Sequence, residues 1–202
     1  GRIGVLVAGV GANDDAAKEA LKNVAMQIAA MNPQYISRAD ISADAMAKLK
    51  EITVDSALNA PDTLPKPILN KLIAKAVDGV WSAEDVAIYE EKKSNMNFLF
   101  NFLSKEAKAQ LAELAMADKD AIVADKIFSG LVEGRISKQV KEISLLDQVY
   151  VKAEDGKQTV AKYLESVNKS LTIAKFVRFE VGEGMEKKNE DFAAEVAKQM
   201  NV

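Results

Sequence analysis

The sequence predicts an α+β fold: a small antiparallel sheet packed with helices, a projecting antiparallel helical arm, and a helical subdomain inserted in that arm. Two observations carry this. Strand-like runs stand near both ends of the chain, at residues 3–10 and 171–181. Between them lie apolar patterns of helical period, punctuated by Pro and Gly. Strands at the ends and helices in the middle suit segregated α+β packing rather than an alternating parallel sheet. The expected division is an α+β core half at 1–41 and 144–202 and a helical arm at 42–143. Residues 60–122 form the inserted segment of that arm.

The elements follow in order. Residues 3–10 are β-rich and end at Gly9 and Gly11, which reads as a strand. Asn13, Asp14 and Asp15 supply a helix cap and an acidic first turn, favourable at the positive end of the helix dipole. Leu21, Val24, Ile28 and Met31 continue at helical spacing until Asn32-Pro33 stops the helix. Ser42 opens a second helix, with Met46, Leu49, Ile52 and Ser56 near one face. Pro61, Pro65 and Pro67 break it. A helix resumes at Ile68 and ends at Gly79. Ser82 followed by Asp85 has the form of a capping box. Another helix is expected at 104–117, then a single long one at 118–143 with the stripe Ile127, Leu131, Ile136 and Val140. Residues 149–151 read as a short extended stretch, Asp155-Gly156 as a turn and 159–167 as a helix. In the last strand Val177, Phe179 and Val181 alternate with Arg178 and Glu180, which predicts an apolar inner face and a charged outer one. Phe192, Val196 and Met200 predict a final amphipathic helix.

Composition narrows the chemistry. The chain has 202 residues, 49% hydrophobic and 28% charged, ordinary for a globular protein of one or two domains. Its net charge is −3, and no long basic run gives electrostatic support for nucleic-acid binding. Cysteine and histidine are both absent. That removes thiol and disulfide chemistry, Ser-His-Asp and Cys-His catalysis, and His-ligated metals. Carboxylate- or Lys-based catalysis stays open. No stretch approaches the roughly 18 apolar residues of a membrane helix, and the N-terminus has no signal-peptide layout. A cytoplasmic protein is expected. Gly1 stands directly inside a strand-like run, which leads us to expect a fragment that has lost an N-terminal part.

Four local constellations invite functional readings. Gly9-Val10-Gly11 sits between a strand and a helix, as in dinucleotide sites. Asp14 takes the place of the third glycine, however, and a carboxylate there would repel a pyrophosphate. A plain strand-to-helix turn is the simpler reading. Glu84-Asp85 and Glu90-Glu91 could pair as acids or metal ligands, but Lys92 and Lys93 follow, which suits a solvated helix face. Residues 95–103 crowd three Phe and two Leu into one span. They read as the core of a helical subdomain or, alternatively, as a surface for a partner or a second copy. The helices beginning at Ser42 and Asp118 could pair as the arm; Gly134 in the second would suit close approach or stand there by chance. No catalytic, cofactor-binding or metal-binding residue is predicted.

Several stretches together resemble the elongation factor Ts family. Arg2-Ile3-Gly4-Val5-Leu6-Val7 is similar to the strand opening the second half of the family's core. Residues 24–33 are similar to the helix that follows. Val132-Glu133-Gly134-Arg135, Lys138, Glu142, residues 145–148 and Thr159-Val160 resemble the returning arm and its exit. Residues 177–184 and 191–196 complete the set. Residues 60–122 depart from the many members that have a short link there, although Trp81 to Val86 is similar to the long insertion of some bacterial members. The family's N-terminal domain and the first half of its core, with its Thr-Asp-Phe-Val segment, have no counterpart in these residues. In the family that segment disturbs the magnesium and nucleotide site of the GTPase elongation factor Tu.

The resemblance implies a non-enzymatic guanine-nucleotide exchange factor that docks on elongation factor Tu and promotes GDP release. It needs no cofactor or small-molecule substrate. Arg178, Glu180, Asp191, Phe192 and Val196 are the implied partner-binding residues. The core half would face the third domain of elongation factor Tu and the final helix its GTPase domain. This chain is expected to keep docking surface rather than the whole exchange function. Two other readings stand beside it: a helical interaction or self-association module, and a nucleotide-binding enzyme built on the Gly9/Gly11 turn.

Overall fold

A computed structural model of the chain describes residues 2–181. Among these, two strands pair antiparallel and nine α-helices lie between them, giving the expected α+β class. The predicted final helix with Phe192, Val196 and Met200 lies outside the described residues. The chain divides into two compact units. One contains the described residues up to Ile41 and those from Val140 on, and the other is Ser42–Gln139.

In the first unit, strand β1 (Arg2–Val10) pairs with β2 (Thr172–Val181). Helix α1 (Asp15–Met31) follows β1 closely, as its caps predict. The Asp14 carboxylate accepts from the Ala17 N–H at 2.9 Å. At the other end Asn32 takes the left-handed conformation, φ 47°, and its N–H bonds the Ile28 carbonyl. Ala17, Ala20, Val24 and Ile28 are buried. They share a core with Leu145, Tyr150, Leu171 and Ile173, and with Val160 and Leu164 of α9 (Val160–Val167). A polar strut crosses this core. The buried Gln27 amide accepts from the Val151 N–H at 2.8 Å and donates to the Val149 carbonyl and to Gln148. It thereby satisfies backbone groups in a stretch with no regular partner strand. Tyr150 stacks on Tyr163 at 4.1 Å. Burial, then its hydrogen bond with Tyr163, pushes the Tyr150 hydroxyl up to about 12.

The faces of β2 are the reverse of the sequence reading. Val5 lies opposite Arg178 and Val7 opposite Phe176, and Val5, Val7 and Phe176 pack against the core under α1. Leu6 pairs with Val177 and Gly4 with Phe179 on the other face. The cause is a β-bulge. Ala8 pairs with Lys175 but Gly9 with Ile173, so Ala174 is an extra residue that inverts the alternation. Before it Ile173 points inward; after it Phe176 and Arg178 do.

The second unit is helical: α2 (Ala43–Asn59), α3 (Lys66–Val77), α4 (Ala83–Lys92), α5 (Met96–Phe102), α6 (Lys105–Ala117), α7 (Lys119–Ala124) and most of α8 (Lys126–Ile143). One core joins Val54 and Leu58 of α2, Leu69 and Leu72 of α3, Leu99 of α5, Leu111 of α6 and Phe128 and Val132 of α8. Trp81 closes it, its indole N–H donating to the Ala107 carbonyl at 3.1 Å. The predicted stripe on α2 shifts. Thr53, Val54, Ala57 and Leu58 are buried, whereas Ile52 is largely exposed.

The single helix expected over 118–143 is two helices. Asp125 breaks it, accepting from the Ile127 and Phe128 N–H groups at 2.8 and 3.2 Å. A side chain that can cap competes with the helical backbone in mid-run. The restart moves the inward stripe of α8 from Ile127 and Leu131 to Phe128 and Val132.

Candidate partner-binding surface

Arg178 and Glu180 are two residues apart on β2, and their side chains meet at 2.8 Å. Their surroundings differ. The Arg178 side chain is only 14% exposed and the Glu180 side chain 52%. Arg178 Nη2 donates to the Ala29 carbonyl at 3.1 Å. Ala29 lies in the last turn of α1, where carbonyls lack helical partners and carry the negative end of the dipole. The guanidinium is therefore a strut between β2 and α1. Glu180 is the member of the pair that reaches solvent. Asp191, Phe192 and Val196 lie outside the described residues, so no geometry ties them to this pair.

The Gly9/Gly11 turn is explained by packing. A Cβ on Gly9 would meet the Leu21 side chain at 2.7 Å, so Gly9 lets α1 lie close against β1. Gly11 has φ +97°, and a Cβ there would run into the Ser170 carbonyl. The Ala17 N–H in the first turn of α1 is taken by the Asp14 carboxylate, which stands where an anion would bind. Both glycines are thus consumed by the fold.

The acidic pairs are accounted for in the same way. Asp85 is buried and accepts from the Ser104 N–H at 3.1 Å, the Ser104 hydroxyl at 2.7 Å and the Ser82 hydroxyl at 3.0 Å. Burial pushes its carboxyl up, but these hydrogen bonds outweigh that and leave it below 3.8. It ties the start of α4 to the start of α6. Glu90 pairs with Lys93 at 2.8 Å and Glu91 with Lys92 at 3.5 Å. Among the described residues no three acids cluster as a metal site. No described helix is long and apolar enough to cross a membrane.

The aromatic span divides between core and solvent. Leu99 and Leu103 are buried in the core, while Phe98 and Phe102 are 54% and 51% exposed. The sequence signal was there, since Phe98 and Phe102 are four apart and Leu99 and Leu103 sit one position on.

The family model described as Elongation factor TS matches residues 1–92 and 88–183. The chain belongs to the elongation factor Ts family. Elongation factor Ts of Clostridioides difficile strain 630 is 33% identical over 203 residues, 99% of this chain and 47% of that protein. Elongation factor Ts of Alkaliphilus metalliredigens strain QYMF is 34% identical over 207 residues, 99% of this chain and 68% of that protein. Elongation factor Ts of Paracidovorax citrulli is 48% identical over 98 residues, about half of this chain. The chain spans about half the length of the first of these relatives.

Proposed function

We propose that this chain is the docking part of a guanine-nucleotide exchange factor, which binds elongation factor Tu in the cytoplasm and promotes GDP release during translation elongation. The family match across residues 1–183 carries the reading. Coupling is thermodynamic. A protein that binds the nucleotide-free GTPase more tightly than the nucleotide-bound one weakens nucleotide affinity by the same factor. No covalent chemistry is needed, so the chain is not an enzyme of the group-transfer or hydrolytic kind. The absence of His and Cys and the packed Gly9/Gly11 turn support this.

Glu180, Asp191, Phe192 and Val196 are assigned to the contact surface. Arg178 is assigned to its edge, where it positions Glu180 through their ion pair. The test is calorimetric titration of the chain into nucleotide-free elongation factor Tu. Saturable binding, weaker against the GDP-bound form, is expected. No heat or association up to about 100 μM, equivalent to less than about 5.5 kcal/mol, would overturn the reading.

A further inference from the structure

The sequence holds two Asp-Gly pairs, Asp78-Gly79 and Asp155-Gly156, and both are exposed. An Asp-Gly pair is open to attack by the glycine nitrogen on the aspartate side chain, because glycine has no Cβ to obstruct the approach. The structure treats the two pairs differently. The Asp155 carboxylate accepts from the Lys157 and Gln158 N–H groups, both at 2.9 Å. The Gly156 N–H donates to the Ala153 carbonyl at 3.3 Å. Both reacting groups are therefore occupied. The same N–H groups, Lys157 first, hold the Asp155 carboxyl below its ordinary 3.8. That shrinks the neutral fraction on which attack depends.

Asp78-Gly79 closes α3, with Asp78 at φ −82° and ψ 31° and Gly79 at φ +128°. The hydrogen bonds of this corner pass around the reacting groups. The Asp78 N–H donates to the Ala74 carbonyl, and the Val80 and Trp81 N–H groups both donate to the Ala76 carbonyl. Among the described residues neither the Asp78 carboxyl nor the Gly79 N–H has a hydrogen-bond partner. Nothing lies within 4 Å of the place that a Cβ on Gly79 would take. Gly79 can thus absorb the rotation about the Asp78 Cα–C bond that brings its nitrogen to Cγ.

We propose that Asp78-Gly79 is a site of spontaneous aspartate-to-isoaspartate conversion in the folded protein, and that its hydrogen bonds protect Asp155-Gly156. The Gly79 nitrogen attacks Cγ of the neutral Asp78 carboxyl. The N–Cγ bond forms, the nitrogen gives up its proton, and the hydroxyl leaves as water, closing a succinimide ring. Water then adds to a ring carbonyl. Opening at Cγ restores aspartate. Opening at the main-chain carbonyl leaves Gly79 joined through Cγ, with a free α-carboxylate on residue 78. One water leaves and one enters, so the mass is unchanged. The corner before Trp81 gains one main-chain carbon.

The experiment is incubation of the chain for weeks at body temperature and neutral pH in water enriched in heavy oxygen, then digestion with trypsin. The pairs fall in separate peptides, residues 76–92 and 153–157. Isoaspartate is read as an isomer of shifted retention that carries one heavy oxygen. It is expected to accumulate at least about tenfold faster in 76–92, since Asp155-Gly156 must first break hydrogen bonds that Asp78-Gly79 does not make. In concentrated urea the two rates should converge. Asp78→Glu, an exposed change that cannot close the same ring, should abolish the isomer of 76–92, which excludes Asp85 as its source. No isomer in 76–92 of the folded chain, equal or faster conversion in 153–157, or an isomer that survives in Asp78→Glu would each overturn the proposal.

Discussion

Replacing Arg178 by Met tests whether the guanidinium is a strut or a contact residue. Met keeps most of the aliphatic stem and removes the donors. The variant loses the 3.1 Å bond to the Ala29 carbonyl and the 2.8 Å pair with Glu180. The first is a hydrogen bond from a charged donor in a mostly buried site, worth about 1.5–3 kcal/mol. The second has one half-exposed partner and adds about 0–1 kcal/mol. The expected loss is about 2–3 kcal/mol, or roughly 4–12 °C in melting temperature for a chain of this size. Arg178→Lys keeps the charge but not the planar fork, and should lose about half as much. The probe matters. Trp81, the one tryptophan, reports the Ser42–Gln139 unit. The stacked Tyr150–Tyr163 pair lies in the unit that holds Arg178, so near-ultraviolet circular dichroism of tyrosine is the signal to follow. If Arg178→Met leaves that transition within about 0.5 kcal/mol, the level of an ordinary surface substitution, the strut account is wrong.

Other perturbations follow from the same geometry. Gly11→Ala forces a Cβ into the Ser170 carbonyl at φ +97° and should cost at least about 2 kcal/mol in urea unfolding, because strained backbone and a clash combine. Gln27→Ala strands the Val151 N–H and should cost about 3 kcal/mol by the same measurement. Asp85→Ala removes the bonds to Ser82 and both Ser104 groups, with an expected loss of about 2–4 kcal/mol followed by Trp81 emission. In the parent protein the folded Asp85 carboxyl sits below its ordinary 3.8, so its contribution is present above that value and fades as pH falls through the folded one. Asp85→Ala should therefore show a shallower loss of stability between about pH 5 and 2 than the parent. A thermal-shift panel of NAD, FAD and ATP should leave the melting temperature unmoved, given the packed glycine turn.

Periodicity and caps made most of the architecture legible. Asp14, Ser42, Ser82, Ser104 and Thr159 all accept a backbone N–H at the start of a helix. What stayed hidden depended on single residues of ordinary type. Ala174 gives no sign that it is a bulge, yet it inverts the faces of β2 and moves Arg178 from solvent to the α1 interface. Asp125 looks like any surface acid until its oxygen caps α8, and the restart shifts the buried stripe by one residue. The Asn95–Leu103 span could not be assigned to core or surface because it is both. The implied docking residues rest on the family resemblance, since no periodic pattern in the sequence marks them. Only exposure and hydrogen bonding separate Glu180, which is half-exposed, from Arg178, which is mostly buried.

The central claim is that the chain docks on elongation factor Tu and distinguishes its nucleotide states. The most direct test is the dissociation constant of GDP from elongation factor Tu, measured with and without a saturating amount of this chain. The chain's own affinity for the GDP-bound and nucleotide-free forms is measured alongside. The account predicts that the chain weakens GDP binding, and that the factor equals the ratio of its two affinities. An unchanged GDP affinity, together with equal binding to both forms or binding to neither, would contradict it.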